Sequence, residues 1–313
     1  PLNWDTSKAT TLYGTFNNAQ AFNSELVWDT SSVTTMSGTF YSAEAFNSEL
    51  AWDTSKARIM DGTFWSATAF NQELVWDTSS VKDMYGTFRD TDVFNQQLVW
   101  DMGSVTNMKN TFSDATAFNS PLVWDTSKVA TMERTFSRAA AYNQELVWDT
   151  SSVENMLATF DDATAFNSPL VWDTSSVTSV YSTFDGAEAF NSELAWDTSK
   201  VTWMKYTFRN AKAFNSELDW DTSSATRFGG MVRIARPRGG VTSTPRGRRR
   251  RFARSPPRAR PPRRSSKARP SSTATSPSGM WPRKAAVTRR NSTTWCSAPG
   301  PTAPPSPCAA MTD

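Results

Sequence analysis

Apolar and polar positions follow one pattern along most of this chain, and the pattern returns every 24 residues. Leu2, Leu26, Leu50, Leu74, Leu98, Leu122, Leu146, Leu170, Leu194 and Leu218 keep that spacing without an insertion. Self-similarity at such a period marks stacked coils, none of which can bury its apolar face alone. Read down the register, Trp fills one column ten times, from Trp4 to Trp220, and Asp always follows it. Val or Ala, then mostly Met, then Phe, then Ala or Thr, then a second aromatic complete a set of core columns. Each buried large side chain contributes roughly 1.5–3 kcal/mol. A stack of coils can therefore offset the ordering entropy that one coil cannot.

Within a repeat the spacing predicts two kinds of backbone. Leu26, Val27 and Trp28 alternate with period two around a β-branched residue, which predicts a short strand. From Val33 the core positions Met36, Phe40 and Ala43 follow at intervals of three and four, the spacing of a helical face. Thr30 and Ser31 precede that run, where hydroxyls cap helix starts. The expected fold class is an α/β repeat solenoid. A parallel strand ladder at about 4.8 Å per coil runs along one side and short helices along the other. Repeats occupy residues 1–228.

Three sets of columns carry polar or exposed chemistry. Asn47, Asn71, Asn95 and Asn119, with Asn23 and Asn215 at either end, predict an asparagine ladder that satisfies turn backbone. Asp29, Asp53, Asp77, Asp101, Asp125, Asp149, Asp173 and Asp197 form an outward-facing acidic ladder, joined by Glu25, Glu49 and their equivalents. Stacked carboxylates repel by about 1 kcal/mol per pair in water. Capping of the Thr-Ser-Ser turn by each Asp is the expected offset. A row of calcium ions is the alternative, although one carboxylate and two hydroxyls per coil fall short of the six to eight oxygens calcium prefers. Trp28, Trp52, Trp76, Trp100, Trp124, Trp148 and Trp172 are expected to be structural. Val27, Val75, Val99, Val123, Val147 and Val171 make a narrow exposed stripe. The columns of Tyr41, Trp65, Arg89, Asp161 and Arg209, and of Ile59, Asp83 and Trp203, vary freely, as positions of partner specificity and unconstrained solvent positions both would.

The segment AFNSELVWDTSSVTTMSGTF, Ala21 to Phe40, resembles the repeats of BspA-type leucine-rich-repeat surface proteins, and the resemblance extends to about residue 230. It departs from them in two ways. One residue is missing between Leu and Trp, and Thr39 and its equivalents replace the Met of a Met-Phe pair. The resemblance implies a leucine-rich-repeat-like fold, a cell-surface or extracellular location, and adhesion through a protein or glycan ligand. It supplies no catalytic residues.

Charge divides the chain at the end of the repeats. Residues 1–228 hold 14 Lys and Arg against 29 Asp and Glu, whereas residues 229–313 hold 19 against 1. The second segment, with runs such as GRRRRFARSPPRARPPRR from Gly247 to Arg264, is too polar and too charged to pack a core, and disorder is expected. It reads as a basic tail able to bind polyanions, without a specific nucleic-acid site, or as the product of a shifted reading frame. Pro1-Leu2 lies mid-repeat, so the sequence reads as part of a longer protein. The chain has no His and only Cys296 and Cys308, which removes His-based catalysis and a disulfide framework. No apolar run reaches the ~20 residues of a membrane span. The expectation is a non-enzymatic binding protein without a cofactor; a structural spacer and a calcium-dependent binder are the alternatives.

Overall fold

The computed structural model describes residues 1–233; the predicted disorder of the basic segment lies outside them, apart from its first residues. The described chain is a tandem-repeat stack in which each 24-residue coil sits on the next. Parallel bridges run Thr11↔Thr35↔Ile59↔Asp83↔Asn107 and onward to Trp203↔Arg227, one residue per coil. The last coil continues past residue 228: β1 (Phe208–Arg209) pairs in parallel with β2 (Val232–Arg233).

The core columns stack as rings and chains of one kind. Phe40 lies 5.5 Å from Phe16 and 5.6 Å from Phe64, stacked nearly parallel to each. Within a coil Phe40 stacks on Phe46 at 3.9 Å. Val33, Met36, Phe40, Ala43 and Phe46 are buried, as are Leu50 and Trp52. Thr39, Thr63, Thr87 and their equivalents as far as Thr207 are buried as completely. Thr63 shows why a hydroxyl is tolerated there. Its Oγ1 donates to the carbonyls of Met60, at 2.8 Å, and of Met36 in the preceding coil, at 3.1 Å. A buried hydroxyl so satisfied ties two coils together.

The structure corrects both secondary-structure expectations. No helix occurs among the described residues. The three-and-four spacing from Val33 to Ala43 arises from consecutive tight turns. The N–H groups of Thr39, Tyr41 and Ala43 donate to the carbonyls of Met36, Gly38 and Phe40. Those of Met36, Gly38, Phe40 and Ser42 point out of the coil, to Ile59, Asp61, Thr63 and Trp65 of the next one. The alternation is produced by left-handed backbone at Gly38 (φ 60°) and Ser42 (φ 52°), and at the same two positions of the other coils. An α-helix cannot admit such residues and would point every N–H along its own axis.

The Leu-Val-Trp-Asp segment, expected to form the ladder, pairs its backbone only once, at Leu2↔Leu26. Elsewhere side chains bridge the coils. Trp100 Nε1 donates to the Leu74 carbonyl at 3.2 Å, and Thr78 Oγ1 to the Asp101 carbonyl at 2.8 Å. The Trp rings of this segment stack at 5.6 to 6.3 Å between centroids. The ladder runs instead through the Thr35 column, on the side where helices were expected.

Candidate binding face

Each polar column has a definite place. Asp149 Oδ1 accepts the Ser151 N–H at 3.0 Å and the Ser151 hydroxyl at 2.7 Å. The same pair of bonds occurs at Asp29, Asp53 and Asp77. Asp125, Asp173 and Asp197 accept the N–H of Ser127, Ser175 and Ser199, and Asp101 that of Gly103. Hydrogen bonds from these serines hold the carboxyls of Asp149 and its serine-bonded equivalents below the ordinary carboxylate value, against the repulsion of neighbouring Asp residues. Thr30 does not cap a helix; its hydroxyl donates to the Asp53 carbonyl of the next coil. Among the described residues no group of three or more acidic or sulfur side chains is placed to hold a metal ion.

The Asn column bridges every coil boundary. Asn47 Oδ1 accepts the Asn71 N–H at 2.8 Å, and Asn71 and Asn95 repeat the bond to Asn95 and Asn119. The indole N–H groups of Trp28, Trp76, Trp100, Trp124, Trp148 and Trp172 donate to leucine carbonyls of the preceding coil. Trp52 Nε1 is buried without a partner. These columns hold the stack together. The Val stripe stands clear of it, with Val171 94% exposed.

The variable columns come together on the face made by the consecutive turns. There the left-handed position is Gly in the first coils (Gly14, Gly38, Gly62 and Gly86) and Asn110, Arg134, Ala158, Ser182 and Tyr206 afterwards. Gly14, Gly38 and Gly62 form the floor of an open trough. Tyr13, Ser37, Asp61 and Tyr85 line one wall, and Asn17, Tyr41 and Trp65 the other, around a hollow of about 320 Å³. Trp65 closes the far end. Its ring lies 3.2 Å from where a Cβ on Gly86 would stand. The ring meets Tyr41 at 5.3 Å and Tyr85 at 6.0 Å, and its Nε1 donates to Asp90 at 3.0 Å. Burial and the nearby Asp83 push the Asp61 carboxyl above the usual carboxylate range.

Farther along the same face the columns carry charge. Lys109 pairs with Glu133 at 3.0 Å and Arg138 with Asp114 at 3.2 Å. Asp161, beside Asp162 and Asp185, is raised to about 6, chiefly by burial. Near the end Tyr181 packs on Trp203 at 4.5 Å, with Arg227 over the Trp203 ring. The variation of Tyr41, Trp65 and Arg89 was visible in the sequence, but the trough was not. Its walls come from two columns, and its depth depends on the backbone of a third. The signal was available in the recurrence of Gly at 14, 38, 62 and 86 and its loss at Asn110.

The fold and this face define a tandem-repeat protein with a constant interior and one variable surface. The family model described as "Mycoplasma protein of unknown function, DUF285" matches residues 2–99, 74–170 and 146–239, and the chain belongs to that family. No curated protein and no solved structure matches it.

Proposed function

We propose that this chain is a non-enzymatic, leucine-rich-repeat-like surface protein of BspA type that binds a protein or glycan in adhesion. The observation that carries the reading is the division of labour among columns. The Leu, Trp, Asn, Met, Thr and Phe columns serve stacking, whereas the wall columns of the Gly14–Gly62 trough differ from coil to coil. Variation marked on one face, with aromatic rings held at the surface over a glycine floor, is what a recognition surface needs. The resemblance of AFNSELVWDTSSVTTMSGTF to surface-protein repeats supports a location on the cell surface or outside the cell. Among the described residues no helix is long and apolar enough to cross a membrane. The alternatives, an inert spacer and a calcium-dependent binder, have no comparable geometric support.

The test is binding of the full chain to arrays of glycans and of extracellular proteins. Tyr41→Ser and Trp65→Ser are compared with Val123→Ser, on the exposed stripe. The reading expects a ligand whose binding falls with the first two variants and persists with the third. Ligand binding that is indifferent to Tyr41 and Trp65, or no ligand at all, overturns it.

A further inference from the structure

This inference rests on the reading of the turn face as a binding surface and names the chemistry of its ligand. Twice on that face the chain sets one of its own arginines against an aromatic ring and a carboxylate. The Arg89 guanidinium lies 4.2 Å over the Trp65 ring, with Nε 3.6 Å from Asp90 Oδ2. The Arg209 guanidinium lies 4.2 Å over the Tyr206 ring, and its Nε donates to Asp185 Oδ2 at 2.7 Å. A planar cation between a π face and a carboxylate gains from both contacts.

The first coils contain the same combination without the cation. Tyr13, 74% exposed, and Tyr41 flank the hollow, and Asp61 stands in it. Among the described residues Asp61 forms no ion pair. Its side-chain hydrogen bond comes from the Ser37 hydroxyl, at 3.3 Å. The floor is open there. A Cβ placed on Gly14 or Gly38 would find only the Cβ of Asn17 or Tyr41, at 3.8 Å. Burial and Asp83 disfavour the ionised form of Asp61, and an incoming cation would relieve that.

We propose that the hollow over Gly14 and Gly38 receives the guanidinium of an arginine from a partner peptide, stacked on Tyr41 and Tyr13 and paired with Asp61. A planar donor fork suits a carboxylate set beside a ring better than a compact ammonium does. The partner class is accordingly an arginine-bearing peptide segment rather than a neutral glycan.

The experiment titrates a Gly-Arg repeat peptide into the full chain by calorimetry at fixed ionic strength. The same titration is repeated with lysine and with citrulline in place of arginine. The variants are Asp61→Asn, Tyr41→Ala and, as a control among the exposed acids, Asp125→Asn. Circular dichroism melts check that each folds. The expected result is about tenfold weaker binding for Asp61→Asn, the scale of one charge-assisted hydrogen bond. A comparable loss is expected for Tyr41→Ala and for citrulline, a smaller one for lysine, and none for Asp125→Asn. Equal affinity in wild type and Asp61→Asn, or equal loss in Asp125→Asn, overturns the proposal. If a neutral glycan binds and depends on Tyr41 and Trp65 while the arginine peptide does not, the guanidinium assignment falls and the binding-face reading stands. If no ligand depends on these residues, both fall.

Discussion

The indole N–H of Trp124 donates to the carbonyl of Leu98, one coil back, at 3.1 Å. Trp124 is 5% exposed; its ring stacks on that of Trp148 in the next coil at 6.1 Å and on that of Phe112 at 6.0 Å. One side chain thus supplies both the packing and the polar bridge that a backbone ladder supplies elsewhere. Trp124→Ala is expected to cost about 3–5 kcal/mol in urea unfolding. Trp4, 55% exposed, has a ring neighbour on one side only. Trp4→Ala should cost far less, and equal losses at the two sites would refute the coupling of coils through this column.

Tyr142 stands where the other coils carry Phe, stacked between Phe118 and Phe166. Its hydroxyl is buried without a hydrogen-bond partner, and burial pushes its ionisation far upward. Removing an unsatisfied buried hydroxyl recovers its desolvation cost, so Tyr142→Phe should stabilise the protein by about 1–3 kcal/mol. The denaturation midpoint measures this; an unchanged or lower midpoint would show that the hydroxyl is satisfied.

Thr135 has the opposite character. Its Oγ1 donates to the Met132 carbonyl at 2.9 Å and to the Met108 carbonyl at 3.0 Å. Thr135→Val preserves shape and removes the donor, while the two carbonyls keep the backbone N–H groups of Thr135 and Thr111. A loss of about 0.5–1.5 kcal/mol is expected, despite the greater hydrophobicity of valine. A stabilised variant would show that these bonds contribute nothing.

Two groups of carboxylates should act on stability in opposite pH ranges. Asp149 and its serine-bonded equivalents are lowered by hydrogen bonds from serine. Their contribution is therefore present above the unfolded value near 3.8 and is lost as pH falls through the lower folded value. Asp161 is raised to about 6 from 3.8. Its folded state holds the proton more tightly, so stability falls as pH rises from 3.8 through about 6. Asp161→Asn should raise the melting temperature at pH 8 and have no such effect at pH 3.5. Carboxyl NMR titration reads both groups directly; an Asp161 midpoint near 4 would remove the basis for this difference.

Much of this protein follows from residue identity alone. A strict 24-residue period dictates stacked coils, because identical columns must meet identical columns. The apolar columns from Leu26 to Phe46 declare themselves as core by their monotony, and burial follows. Asn47 and Asp29 declare their chemistry through the few partners available within two residues or one coil. Backbone direction was not legible in the same way. Val33, Met36, Phe40 and Ala43 carry a spacing that a helix and a chain of tight turns share. What separates the two is left-handed backbone at two positions per coil. Gly38 signals one of them, but Arg134, Ala158 and Tyr206 occupy the same site elsewhere and conceal it. Only the stacked structure decided that alternate N–H groups leave the coil for the next one. It also decided that indoles about 6 Å apart take the place of a strand ladder. The trough is tertiary for the same reason: Tyr13, Tyr41 and Asp61 belong to three coils, and no spacing within one repeat brings them together.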